Sequence, residues 1–335
     1  MGVAFKFLIQ DSRIPPLDGT RGKIQYRQYP IEQLYQQNDY EEVIHLLIWG
    51  HLPSFDEGHM LRKAFEEQAR PHKSVIGAIG TFPRETPSFL MIIAGPSAWA
   101  ASRPSNVPVF AGKVLYHNDP GALDEAIIGS IAAFTTVVAL VYCHQNDLEF
   151  TPPDPQLSIV ENMLLMIGFV NEYTSRPDPE TIKSLNRLWI LYADHEMTNS
   201  TAAFLHVTSS LADPISGLIA AVASGSGPLH GGAIDLAYMT FEKLGNKANV
   251  SKLIDDVKAK KLRLFGVGHR MYNTADPRAC LLKDLMEETG NHKDSSPLLS
   301  VAMEIERIVS NDPYFTLRNL RVNADLYGCF VYSAL

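Results

Sequence analysis

A chain of 335 residues can bury a large core and corresponds to about two domains. With 46% hydrophobic and 20% charged residues and a net charge of −8, it reads as a soluble, mildly acidic globular protein, and nothing in that balance suggests a nucleic-acid partner. Cys143, Cys280 and Cys329 are widely spaced and odd in number, which argues against a disulfide framework or a CxxC metal knuckle and fits a reducing compartment.

The first residues, MGVAFKFLIQDSRIPP, hold too short an apolar stretch for a signal peptide and too little Arg and Ser for a transit peptide. Lys6 stands where myristoylation prefers Ser or Thr. Next, LDGTRGKIQYRQYP carries the clearest strand signal: Asp18-Gly19 and Gly22 are expected to turn the chain, with Ile24, Tyr26 and Gln28 alternating beyond them. Val43 to Leu47 has helical periodicity.

The stretch 126–143 is uncharged and just reaches the length of a transmembrane candidate. Its flanks are Asp124, Glu125 and His144 rather than Lys or Arg, and Ser130, Thr135 and Thr136 lie within it, so a helix buried all round in a helical core is expected. Pro152, Pro153 and Pro155 separate it from a helix over Ile159 to Met166. Pro177 and Pro179 precede an amphipathic helix in which Ile182, Leu185, Leu188, Trp189 and Tyr192 form one stripe, running into His195 of LYADHE. Taken alone, His195 reads as a core histidine bonded to backbone.

His230 stands differently. In SGSGPLHGGAIDLAYMTF the glycines let backbone approach a ligand, and an apolar helix follows at once. An imidazole on the first turn of a helix is favoured as the neutral form and can donate to an oxygen gaining negative charge. Helical periodicity returns over Val250 to Val257, followed by Lys258, Lys260, Lys261 and Arg263, which suit a solvated helix C-terminus or a phosphate.

In GVGHRMYNTADPRA, Gly266 and Gly268 resemble part of a dinucleotide fingerprint, but Met271 replaces its third glycine and no alternating strands and helices surround it. What remains is a tight turn presenting His269, with Arg270 and Arg278 close behind, a grouping suited to the carbonyl and carboxylate of a small acid. NADLYG with Asp325 closes the set. Three histidines and an aspartate at expected helix boundaries suit enolisation chemistry. No HExxH occurs, so a metal site at these histidines is not expected, and no GxSxG elbow supports a catalytic serine.

These motifs together resemble the citrate synthase family, from LDGTRGKIQYRQYPIEQL through PPDPQLSIVENML, LYADHE, GPLHGGA, GVGHRMYNTADPRA and NADLYG, over nearly the whole chain. The resemblance implies an all-α fold with a short N-terminal β-hairpin, a large domain over 1–225 to which 326–335 return, and a small mobile domain over 226–325. It also implies a homodimer that condenses an acyl-CoA with oxaloacetate, without metal or prosthetic group, nucleic acid or membrane. Asp325 would take the α-proton of the thioester while His230 donates to the forming enol oxygen. His269 would polarise the keto group of oxaloacetate, and His195 with Arg278 would bind the dicarboxylate. The family's CoA contacts fall near Lys260, Lys261 and Arg263.

Departures from the family pattern occur at Thr86-Pro87-Ser88, across 95–113, at CHQNDLEF after the uncharged helix and at Thr198. They leave the acyl group open between acetyl and the longer chains used by alkylcitrate-forming relatives in specialised metabolism. The family's two further arginines lie beyond the aspartate motif, so a second expectation is a shortened, inactive homologue acting as a structural or regulatory partner; a third is a CoA-binding protein without condensation. The terminal Ser-Ala-Leu resembles a peroxisomal Ser-Lys-Leu address without its charge, leaving cytoplasm or an organelle matrix as the expected location.

Overall fold

The computed structural model describes residues 22–112, 114–116, 119–195, 197–269, 272, 274–288 and 297–334. Asp18, Gly19, Glu196 and Arg270, which figure in the sequence motifs, lie outside them.

A two-stranded antiparallel hairpin opens the described chain, β1 (Gln25–Tyr26) and β2 (Tyr29–Pro30), with Tyr26 opposite Tyr29. Its turn lies at Arg27–Gln28, later than expected, with Arg27 in the left-handed region at φ 55°. Among the described residues the other regular elements are helical: α1 (Ile31–Gln37), α2 (Tyr40–Trp49), α3 (Phe55–Gln68), α4 (Lys73–Gly80), α5 (Ser88–Ser102), α6 (Pro108–Ala111), α7 (Pro120–Asn146), α8 (Ile159–Met166) and α9 (Pro179–Tyr192). There follow α10 (Asn199–Thr208), α11 (Pro214–Gly225), α12 (Gly232–Leu244), α13 (Val250–Lys258), α14 (Pro277–Glu288), α15 (Pro297–Asn311), α16 (Pro313–Thr316) and α17 (Asp325–Ala334). The all-α expectation with its hairpin is therefore met.

Local chemistry explains many of these boundaries. Ser54 with Glu57 and Ser158 with Glu161 form reciprocal capping boxes at α3 and α8. Asp119 and Asp213 cap α7 and α11 ahead of a proline at the first helical position.

Contacts divide the chain into two compact units. The first comprises Ile44–Ile182 and Met197–Ser226; the second holds Lys183–Glu196 and Gly227–Leu335, with the segment that ends at Val43. Their membership differs from that of the expected domains, because 22–43 and 183–195 pack with the C-terminal half.

The first unit is an apolar helix stack. Val75 and Ile79 of α4, Met91 and Trp99 of α5, and Ala133, Val137, Leu140 and Val141 of α7 form one buried cluster. Gly95 brings α5 against α7 so closely that a Cβ there would lie 2.4 Å from Val137 Cγ1. Helix α7 is long and apolar enough to cross a membrane by length and composition, and half of its apolar window is buried within the protein. It is not buried all round: Thr136 donates to the Ala69 carbonyl at 2.9 Å on one face, while Leu123 and Tyr142 are exposed.

The second unit is tied together by polar contacts over long sequence separations. Fully buried Tyr26 donates its hydroxyl to the Ile190 carbonyl at 2.7 Å and accepts from the Asp194 N–H at 3.3 Å. These bonds occupy backbone groups at the C-terminus of α9, which ends at Tyr192 rather than continuing to His195. The hairpin thereby fixes the short segment that carries His195.

Candidate active site

His195, His269, Arg278 and Asp325 converge within the second unit. The His195 and His269 rings are 4.9 Å apart between centroids and nearly perpendicular, and Tyr272 packs on both. The Tyr272 hydroxyl lies 2.8 Å from His195 Nε2, a hydrogen bond that sets the imidazole's orientation.

The loop bearing His269 is pinned to the segment leading into Asp325. Val267 bridges Val322, the Gly268 N–H donates to the Arg321 carbonyl at 2.7 Å, and the Asn323 N–H donates to the Gly266 carbonyl at 3.1 Å. Asn323 adds a side-chain bond from Nδ2 to the Gly268 carbonyl at 2.9 Å, and its Oδ1 accepts from the Asp325 N–H at 3.0 Å. Gly266 and Gly268 adopt φ of 78° and 87°, and a Cβ at Gly266 would crowd Leu326, so glycine is required for both conformation and space.

Arg278 is 7% exposed and forks onto Asp276, with Nε at 3.1 Å from Oδ1 and Nη2 at 2.8 Å from Oδ2. Asp276 also accepts from the backbone N–H groups of Arg278 and Ala324. The pair uses two of the guanidinium's five N–H donors, leaving three for another anion. Burial opposes both charges, yet the Arg278 charge and its bonds hold the Asp276 carboxyl below its ordinary range, and Asp276 in turn raises the Arg278 pKa.

Helices α12 and α17 pack so that Ile234 meets Gly328 and Phe241 stacks on Phe330 with centroids 5.6 Å apart. Asp325 opens α17, and half-buried His230 lies just before α12, whose first residue is Gly232, rather than on its first turn. The Ala233 N–H donates to the His230 carbonyl at 2.9 Å, so His230 is held by the helix start.

The electrostatics are uneven. Burial pushes the Asp325 carboxyl up to about 6, against the opposing pull of Arg278. Burial, then the positive charge of Arg278, brings His195 down to about 3; burial also lowers His230 and His269. Near neutral pH the site thus holds an ionised carboxylate of raised basicity among neutral imidazoles, which can donate hydrogen bonds without carrying charge.

Residues to which the sequence attached no role complete the cluster. Asp276, Tyr272 and Asn323 lie inside the family-like motifs. Tyr192 stood on an apolar stripe. Its hydroxyl is buried and has no hydrogen-bond partner among the described residues, while the Arg278 guanidinium lies 5.6 Å from its ring centroid. A Cβ at Gly328 would come within 2.2 Å of that hydroxyl, which places it against the first turn of α17.

Lys260, Lys261 and Arg263 are exposed at the end of α13. Lys261 pairs with Asp256 at 3.3 Å and the Arg263 guanidinium lies 5.7 Å from the Phe265 ring centroid. Among the described residues, none of their contacts reaches the histidine cluster.

Residues 5–335 match the family model described as citrate synthase, C-terminal domain. The chain belongs to the citrate synthase family. It is 43% identical over 327 residues to a citrate synthase-like protein of Aspergillus oryzae, covering 98% of this chain and 73% of that one. It is 36% identical over 328 residues to an alkylcitrate synthase of a fungal species, covering 97% and 72%. The citrate synthase of Thermoplasma acidophilum, solved as a ternary complex with carboxymethyl coenzyme A and oxaloacetate, superposes with a TM-score of 0.85 at 29% identity over 97% of this chain and 82% of that one. This member of the citrate synthase family is accordingly a citrate synthase-type transferase with the family's fold.

Proposed function

We propose that this chain condenses an acyl-CoA with oxaloacetate, giving citrate or a 2-alkylcitrate and free CoA. The observation that carries the reading is the convergence of the His195–His269 ring pair and of Asp325 on one buried guanidinium, Arg278, with burial holding the Asp325 carboxyl above its ordinary range. A base must be ionised yet basic enough to take a thioester α-proton, and the developing enolate must be stabilised as it forms.

Asp325 removes the α-proton while His230 donates to the thioester oxygen as it becomes an enol oxygen. The enol carbon attacks the keto carbon of oxaloacetate, and His269 donates to the oxygen that becomes the tertiary hydroxyl. The remaining donors of Arg278, with His195, hold the dicarboxylate. Water then cleaves the citryl thioester, releasing CoA and the tricarboxylate. Each step uses side chains only, so the chemistry needs no prosthetic group. Exposed Lys260, Lys261 and Arg263 are the cations offered to CoA phosphates.

Similarity to an alkylcitrate synthase supports an acyl chain longer than acetyl, and the family reading supports a homodimer. The alternative of an inactive homologue gains no support from the site, where the base, the three histidines and the buried arginine are all present.

Incubating the purified chain with oxaloacetate and a panel of acyl-CoAs, and following free thiol, tests the reading. CoA release that depends on oxaloacetate is expected with at least one acyl-CoA. No release with any of them, from a folded sample, overturns it. Sedimentation of the same sample tests the dimer.

A further inference from the structure

The geometry points to a divalent-cation site made by His45, His51 and Glu57, outside the histidine cluster described above. One ligand atom from each of these residues lies within 4.8 Å of the other two. All three belong to the corner where α2 passes into α3, at regular spacing along HLLIWGHLPSFDE.

Each member is oriented by a hydrogen bond: His45 and Glu57 keep a lone pair, and His51, whose Nε2 donates to Glu57, would release that proton on binding the ion. His45 is 5% exposed, and its Nδ1 lies 2.9 Å from the His51 carbonyl oxygen. A carbonyl only accepts, so Nδ1 carries the proton and Nε2 keeps its lone pair. A backbone carbonyl holding one ring nitrogen is the outer bond that metal-binding histidines commonly make. Trp49 packs on the same ring with centroids 4.6 Å apart, and its indole N–H donates to Asp124 at 3.1 Å, so the ring cannot easily swing away.

Glu57 is held as firmly. Its Oε2 accepts from the Ser54 N–H at 2.7 Å and the Ser54 hydroxyl at 2.8 Å, completing the capping box of α3. Its Oε1 is turned toward His51 Nε2 at 3.1 Å. In a tetrahedral site with bonds of about 2.0 to 2.2 Å, neighbouring ligand atoms stand about 3.3 to 3.6 Å apart, close to the 3.1 Å between His51 and Glu57, while the three ligand atoms together lie within 4.8 Å.

A surface His–Glu pair by itself explains less. Such an exposed pair contributes little to stability and gives no reason for a buried, tautomer-fixed histidine beside it. Two imidazoles and one carboxylate suit Zn2+ or a neighbouring transition ion, with water completing the coordination. Since the proposed chemistry runs on other side chains, the ion's effect here is structural: it clips the end of α2 to the start of α3.

The test uses the full chain stripped with a chelator and titrated with Zn2+ against a chromophoric competitor. One equivalent should bind tightly enough to compete, and Co2+ in its place should show the visible absorption of a four- or five-coordinate nitrogen and oxygen site. His51→Ala and Glu57→Gln, both at solvent-accessible positions, should each weaken binding at least about tenfold. Zn2+ should raise the melting temperature of the parent chain but not of the variants. Failure of the parent to compete, or unchanged affinity in both variants, overturns the site. Replacing buried His45 would disturb packing as well as ligation, so the two accessible positions decide the outcome.

Discussion

The two compact units are held by different chemistry. In the first, α4, α5 and α7 meet through Val75, Met91, Trp99 and Val137, and small residues such as Gly95 set the distance between helices. In the second, a buried Arg278–Asp276 pair, the Tyr26 hydroxyl and the Asn323 side chain fix loops whose regular hydrogen bonds run out. The first unit should therefore be sensitive to volume and the second to charge and to lost hydrogen-bond partners. The proposed catalytic side chains lie in the second, where burial shifts pKa values.

The largest effects should follow from removing the proposed base or the proposed enol donor. Asp325→Asn keeps the size of the side chain and loses general-base function, so CoA release should fall by about 10² to 10⁴-fold. His230→Ala should cost about 10² to 10³-fold through loss of a donor to the enol oxygen. The stability of Asp325→Asn should move the other way. The folded pKa of about 6 lies above the ordinary carboxylate value, so the favourable contribution is present below that ordinary value and lost as pH rises through 6. At pH 8 the asparagine variant should be more stable by about 2 kcal/mol, allowing for partial solvent exposure, and the gain should vanish below about pH 4. Thermal melts at the two pH values measure this directly. An asparagine variant less stable at pH 8 would break the contrast between the units.

Arg278→Met comes next. It leaves Asp276 as an unpaired buried charge and should destabilise by about 3 to 5 kcal/mol by denaturant unfolding. Adding Asp276→Asn should restore part of that loss while CoA release stays low, since substrate loses its guanidinium. In the first unit, Gly95→Val should cost about 1 to 3 kcal/mol through overpacking against Val137, with no pH dependence between about 5 and 8. A pH-dependent loss there would show that volume is not what governs that helix stack.

How much of this was legible in the sequence follows the same division. The glycine-flanked histidines, the helix after His230 and the final aspartate announced themselves because turn chemistry and helix starts are local. The helices over 159–166 and 250–258 were legible for the same reason. The hairpin was found but its turn was placed early, since Asp18-Gly19 and Gly22 are stronger turn signals than Arg27–Gln28. The partnership of 22–43 with 183–195 was invisible: it rests on contacts such as Tyr26 to Ile190, which no periodicity encodes. Tyr192 was missed because its apolar stripe already had a sufficient explanation, and Asp276 because its pairing with Arg278 and the Ala324 N–H is fixed only by the folded chain.

The acid limb of the rate sharpens the electrostatic half of the comparison. If Asp325 is the base, kcat/KM should fall below a pKa of about 6, because protonation removes the lone pair that takes the α-proton. His195, brought down to about 3, places no further protonation in that window. A limb near about 4 would mean that Asp325 is better solvated during catalysis than burial implies.

The smallest effect should come from Tyr192→Phe. The hydroxyl is buried without a partner among the described residues, and burial together with the nearby Asp325 charge keeps its pKa well above 10, so it remains a neutral donor. Removing an unsatisfied hydroxyl forfeits no hydrogen bond in the free chain, so stability should change by less than about 1 kcal/mol, toward the more stable side. The cost should emerge only with ligand present. If substrate or the Asp325 carboxylate supplies the missing acceptor, the variant should lose rate or affinity, and a shift in the acid limb would distinguish the carboxylate from the substrate. A variant that melts higher and turns over unchanged would mean that this hydroxyl is a packing defect tolerated by the second unit, and that not every buried polar group there serves the site.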